Sequence, residues 1–206
     1  VLPPPVYPIT DPLPAGASGL AELLAKLMRG GATWIQVREK KLSDDELLAQ
    51  LEPIRKTRES GFSLIINDRV ALVGRAGIAG VHLGQEDAPV AQTRRDLPGA
   101  IIGISTHSLD QAVAAASLPV DYISIGPVFP TATKAGHAAV GLDVVRHVRA
   151  AVDKPMVAIG GISLSNAAQL WELGVESVAV ISDIMGSGDI ERRVSQYLEL
   201  WRSIHD

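Results

Sequence analysis

Trp34-Ile35-Gln36-Val37-Arg38-Glu39-Lys40-Lys41-Leu42-Ser43-Asp44-Asp45-Glu46 is the stretch on which the fold turns. An apolar pair runs into alternating Gln, Arg and Lys, and Ser43 is followed three residues later by Glu46. The first half describes a strand whose carboxyl end has left the core; the second is a capping box that opens a helix. Side chains at i and i+2 of a strand share a face, so Gln36, Arg38 and Lys40 converge while Val37 and Glu39 turn away. Convergent cations repel unless an anion lies between them, and Arg with Lys suits a phosphate or pyrophosphate. A solvated strand end carrying a charge cluster fits this segment equally well, so the remaining chain has to decide.

The same strand-then-helix unit recurs in both directions. Apolar runs at 6–9, 34–37, 63–66, 81–83, 101–104, 122–125, 156–159 and 177–180 predict strands. Helical patterns lie between them: 18–28, closed by Gly30-Gly31; 43 to about 60; a short one after Arg69; one after Pro89; one from Ser108; 142–152; one from Ser163 or Ser165 to before Gly174; and 189–204. Eight such units in 206 residues predict an α/β protein, a (β/α)8 TIM barrel forming a single domain over 1–206, with the proline-rich 1–5 as a stiff lead-in. Such barrels carry their chemistry on the loops that follow the strands, because all carboxyl ends meet at one face.

Composition narrows the class. A formal charge of −4, no basic run and few aromatics argue against a nucleic-acid surface, so anionic ligands must be met locally. No apolar stretch is long enough for a membrane span, and 1–5 lacks the basic and apolar regions of a signal peptide. The absence of cysteine removes thiol chemistry and fits a cytoplasmic setting.

Several polar groups fall at the predicted strand ends. Asn67-Asp68 follows the third strand and Asp87 the fourth, so two carboxylates meet at one rim; beside a phosphate site they suit Mg2+, which takes few protein carboxylates. An Asp68–Arg69 ion pair and a helix cap at Asp87 are the structural alternatives. Ser105 ends the fifth strand, where it either donates to an anion or caps the next helix. The loop 126–141 carries Thr131-Ala132-Thr133-Lys134, two hydroxyls and an ammonium able to wrap a phosphorylated ligand. Gly160-Gly161 and Ile181-Ser182 follow the last two strands, where barrels commonly bind phosphate; a paired glycine is also simply a turn. His82 lies within an apolar strand and reads as a core or supporting histidine, and the other histidines have no metal spacing.

These segments, from Tyr7-Pro8-Ile9-Thr10-Asp11 through Gln36 to Lys40, Ile65-Ile66-Asn67-Asp68-Arg69, Gly103-Ile104-Ser105-Thr106-His107 and on to Val180-Ile181-Ser182, occur in the order in which they occur in thiamine-phosphate synthases. The chain resembles that family. The resemblance implies a transferase that joins an aminopyrimidine methyl pyrophosphate to a thiazole phosphate, releasing pyrophosphate. It implies that Gln36, Val37, Arg38, Glu39, Lys40, Asn67, Ser105 and Lys134 hold the pyrimidine pyrophosphate, with Arg38, Lys40, Ser105 and Lys134 catalytic. Thr131, Ala132, Thr133, Gly161, Ile181 and Ser182 would hold the thiazole phosphate, and Asp68 and Asp87 the Mg2+. The partners it implies are small phosphorylated substrates, with a homodimer as the family expectation. Three rivals remain: a thiazole tautomerase, which needs no pyrophosphate cluster; a Schiff-base aldolase, which needs a desolvated lysine on a strand; and a phosphate-ligand sensor without turnover.

Overall fold

A computed structural model describes residues 2–10, 19–55, 61–131 and 138–206. Eight parallel strands alternate with helices in a nearly closed barrel. The strands are β1 Val6–Pro8, β2 Trp34–Val37, β3 Ser63–Asn67, β4 Ile78–Leu83, β5 Ile101–Thr106, β6 Tyr122–Ile125, β7 Met156–Ile159 and β8 Ser177–Val180, ordered β1-β8-β7-β6-β5-β4-β3-β2. Four of them, β2, β6, β7 and β8, have the bounds their apolar runs predict. β4 begins three residues earlier than expected because Ile78-Ala79-Gly80, small and weakly patterned, pairs through a bulge with Leu64 and Ile65. β5 extends through Ser105 and Thr106, which pair with Ser124 and Ile125.

The helices are α1 Leu20–Arg29, α2 Asp44–Arg55, α3 Val90–Asp96, α4 Leu109–Ala116, α5 Gly141–Ala151, α6 Ala167–Glu172, α7 Ser182–Met185 and α8 Ile190–His205. The capping box opens α2 in both directions: Glu46 N–H donates to Ser43 Oγ at 3.3 Å, and Ser43 N–H donates to Glu46 Oε2 at 2.8 Å. Ser108 and Asp189 cap α4 and α8 in one direction only, accepting from the N–H groups of Gln111 and Arg192. Among the described residues the eight helices are nonetheless assembled differently from the expectation. The third unit has only a 3-10 turn, Val70–Leu72, because the link from β3 to β4 is too short for more, and α7 is an additional helix directly after β8.

Two cores result from the alternation of side chains. Outward-facing residues such as Ile35, Val37, Ile66, Val81 and Val178 pack with the inner faces of the helices. On α1 the buried Leu20, Leu23, Leu24 and Leu27 follow i, i+3, i+4, i+7 spacing, each worth about 2 kcal/mol of apolar burial. Inside the barrel Tyr7, Ile9, Trp34, Ile65, Ile101, Tyr122, Val157 and Ala179 form the second core. Three of the chain's few aromatics meet there, Tyr7 lying 5.7 Å from Trp34 and 6.0 Å from Tyr122 between ring centroids. Gly103 on β5 makes room for them: a Cβ there would stand 2.0 Å from Tyr122 Cζ.

Closure is uneven around the ring. β1 pairs with β8 along its length, but among the described residues it meets β2 through one bridge, Ile9 with Gln36. Thr10 N–H donates to the Gln36 carbonyl at 2.9 Å, and Arg38 N–H finds the Thr10 hydroxyl at 3.0 Å. The lead-in is tied down as well, the Pro5 carbonyl accepting from Val178 N–H at 3.0 Å and Trp171 Nε1–H at 3.3 Å.

Candidate active site

The carboxyl ends of the strands surround a cavity with about 900 Å3 of empty space, part of it open to solvent. Its apolar lining comes from Ile9, Val157, Ile159 and Ala179. Its polar lining falls on two sides. Gln36, Arg38, Asn67, His82 and Ser105 come from the ends of β2 to β5; Thr131, Gly160, Gly161, Ile181 and Ser182 come from the loops after β6 to β8. Ala132, Thr133 and Lys134 lie outside the described residues.

The alternation expected for 36–40 carries as far as Arg38. Gln36 and Arg38 line the cavity, whereas Val37 is fully buried in the outer core, which leaves only its main chain to meet a ligand. Beyond Val37 the chain leaves the sheet. Arg69 causes the bend: its Nη2 donates to the carbonyls of Glu39 at 2.9 Å and Leu42 at 2.8 Å, while Nη1 pairs with Asp44 at 2.9 Å. Glu39 folds back to accept from Lys41 N–H at 2.6 Å, and Lys40 stands exposed on the rim. Arg69 therefore holds the loop in place and does not form the Asp68 ion pair considered above.

Asp68 faces Asp87. Burial, then the hydrogen bond and charge of Asp87, push the Asp68 carboxyl up to about 6, against the opposing pull of Lys40 and Arg38. Asp87 caps nothing on α3, whose N-terminus has no side-chain cap; its Oδ2 accepts from Gly84 N–H at 2.6 Å. Two facing carboxyls fit a divalent cation that takes few protein ligands. Among the described residues no group of three or more His, Cys, Asp or Glu forms a denser metal site.

Across the cavity, Gly160 and Gly161 have φ of 98° and 64°. Their turn lies under the loop after β6, with Val128 N–H donating to the Ile159 carbonyl at 2.8 Å and Phe129 N–H to Gly160 at 3.0 Å. A Cβ on Gly161 would stand 2.6 Å from the Pro130 carbonyl oxygen, so the paired glycine also serves close backbone packing. Asn166 steadies the turn by donating to the Gly161 carbonyl at 3.0 Å and accepting from Ser163 N–H at 2.8 Å. Beside it, Asp183 of α7 is held by Arg193 at 3.0 Å and Tyr197 at 2.8 Å, which anchors Ile181 and Ser182 to the last helix.

Ser105 does not cap α4, a role taken by Ser108. It lines the cavity and bonds His82 Nε2 at 2.9 Å. His82 Nδ1 bonds the Tyr122 hydroxyl at 2.8 Å, which lies 3.1 Å from the Tyr7 hydroxyl; Gln36 Nε2 donates to Tyr7 at 3.2 Å. His107 also lines the cavity and bonds the Gly126 carbonyl through Nδ1. Tyr7, Tyr122, Ser124 and His107 were not singled out from sequence as site residues. A tyrosine inside an apolar strand run resembles core, and only its inward parity with Gln36 or Ser124 signals otherwise. Lys40, one of the two lysines an imine-forming aldolase would use, stands on the rim and is not in the cavity lining, and Lys134 lies outside the described residues.

Known proteins resemble this chain along most of its length. The family model described as thiamine monophosphate synthase matches residues 6–184. The thiamine-phosphate synthase of Albidiferax ferrireducens is 40% identical over 187 residues, covering 89% of this chain and 85% of that protein. That of Chloroflexus aurantiacus is 39% identical over 194 residues, covering 93% and 89%. The solved thiamine phosphate pyrophosphorylase of Pyrococcus furiosus superposes with a TM-score of 0.88 at 32% identity, covering 98% of this chain and 97% of that one.

Proposed function

We propose that this chain, which belongs to the thiamine monophosphate synthase family and is a transferase of thiamine biosynthesis, joins an aminopyrimidine methyl pyrophosphate to a thiazole phosphate in a Mg2+-dependent reaction. The observation that carries the reading is the division of one cavity between two polar walls. Arg38, Asn67 and Ser105, with Lys40 on the rim, offer cationic and hydroxyl groups to a pyrophosphate. Gly161, Ile181, Ser182 and Thr131 form the opposite wall, where a smaller phosphate fits. The apolar residues between them suit two flat heterocycles.

Little acid or base is required of the protein. An electron-rich aminopyrimidine stabilises positive charge at its exocyclic carbon as pyrophosphate departs, and the thiazole nitrogen captures that carbon. The protein therefore neutralises the leaving group, holds the nucleophile in line and limits water. Arg38 and Lys40 serve the first task, joined by Lys134; the Gly160-Gly161 turn and the segment at Ile181 and Ser182 serve the second. Asp68 and Asp87 would hold Mg2+, which supplies charge neutralisation on the departing pyrophosphate.

The test is formation of thiamine phosphate and pyrophosphate from the two phosphorylated halves, with Mg2+ and with chelator, for wild type and Lys40→Ala. The expected result is metal-dependent product, reduced at least about tenfold in the variant. Folded wild-type protein that binds thiazole phosphate yet makes no product would favour a tautomerase or a sensor instead.

A further inference from the structure

We infer that the Tyr7 hydroxyl is a positioning group: it sets the direction of the protons along a buried chain, so that Gln36 shows the cavity a carbonyl and Ser105 shows it a hydroxyl proton. The inference deepens the synthase reading and rests on it for the identity of the ligand.

The chain runs from Gln36 Nε2 to Tyr7 Oη at 3.2 Å, Tyr122 Oη at 3.1 Å, His82 Nδ1 at 2.8 Å and from His82 Nε2 to Ser105 Oγ at 2.9 Å. It crosses the barrel from β2 to β5. Each hydroxyl has a single proton, and a neutral imidazole donates from one nitrogen and accepts at the other. The direction of one bond therefore fixes the next. With Gln36 donating, Tyr7 turns its proton to Tyr122, and Tyr122 to His82 Nδ1. The imidazole proton is then on Nε2 and points at Ser105 Oγ, the nearer of its two hydroxyl neighbours at 2.9 Å, with Ser124 Oγ at 3.5 Å. Among the described residues Ser105 Oγ has no other partner, so its own proton is left for the cavity it lines.

Run backwards, the chain shows the cavity an amide N–H2 at Gln36 and only lone pairs at Ser105. A pyrophosphate has only acceptors to offer and an aminopyrimidine brings N–H donors, so the first direction matches both parts of the ligand and the second opposes both. Burial holds the hydroxyls of Tyr7 and Tyr122 well above the ordinary phenol range, so both keep the protons this arrangement needs. Gly103, which leaves the space occupied by the Tyr122 ring, is part of the same construction.

The test begins with wild-type protein labelled with 15N-histidine, the His82 signals being assigned by their loss in His82→Gln. The proton is expected on Nε2; a proton on Nδ1 overturns the inference without any variant at Tyr7. Tyr7→Phe keeps the ring against Trp34 and Tyr122 and removes only the hydroxyl. It is expected to give a mixed His82 tautomer and to raise KM for the pyrimidine pyrophosphate about tenfold, with KM for thiazole phosphate within about twofold of wild type. An unchanged tautomer, or equal changes in both KM values, overturns the positioning role; should Tyr7→Phe not fold, Tyr122→Phe is read by the same two measurements. The tautomer needs no turnover, so an inactive protein with the expected tautomer refutes the synthase reading and leaves the proton direction standing.

Discussion

Asp68 combines two constraints in one residue. Its φ of 62° lies in the left-handed region, which Asp and Asn tolerate better than most side chains, and its carboxyl is raised to about 6 mainly by burial and then by Asp87. A carboxyl with a folded value above its unfolded one binds its proton more tightly in the folded state. Its stabilising contribution is complete at low pH and is lost as pH rises through about 6. Asp68→Asn, measured in chelator, is therefore expected to raise the melting temperature at pH 7.5 by about 2–4 °C, equivalent to about 1 kcal/mol after solvent screening. The advantage should fade below about pH 4, where the wild-type carboxyl is protonated in both states. Mg2+ should raise the melting temperature of wild type and not of the variant; an advantage that grows on acidification would contradict this account. The Asp68 and Asp87 pairing was legible because both carboxylates sit at predicted strand ends. Lys40 was only half legible: strand alternation explains Arg38, but the bend that carries Lys40 to the rim depends on Arg69, distant in sequence.

Among the elements, the amino-terminal ends of the strands show what stability alone asks for. Glu176, just before β8, accepts from Met156 N–H of β7 at 2.8 Å and pairs with Arg149 of α5 at 2.9 Å. Asp121, just before β6, repeats the device with Ile102 N–H of β5 at 2.7 Å and Arg94 of α3 at 2.6 Å. Glu176→Ala leaves a main-chain donor and a partly buried guanidinium without this acceptor. Chemical denaturation should show a loss of about 2–3 kcal/mol, with kcat within about twofold of wild type because this end of the barrel is remote from the cavity. Most elements could be read from the sequence because caps and apolar runs are local signals. The short helix after Arg69 was legible too, though not that it is a 3-10 turn; the extra α7 was not, since it is decided by how far the chain has to travel between neighbouring strands.

For the whole molecule, eight repeated units were enough to give the barrel but not where it joins. The ring closes between β1 and β2 on the Ile9–Gln36 bridge and the bonds of Thr10, a thin seam among the described residues. Amide exchange at Thr10 and Arg38 should be faster than at Ile65 and Ile66, which sit in the longer β2–β3–β4 pairing. Inorganic pyrophosphate with Mg2+ should slow exchange at the seam about tenfold; no slowing would separate the seam from the ligand site. Gln36 and Arg38, the residues offered to the ligand, are also the far side of that joint. A hoop is weakest at its clasp, and a ligand seated on Gln36 and Arg38 would complete it. A ligand that binds only the closed ring adds its binding free energy to closure, and a change that tightens the joint raises affinity only to the extent that the joint is open without ligand.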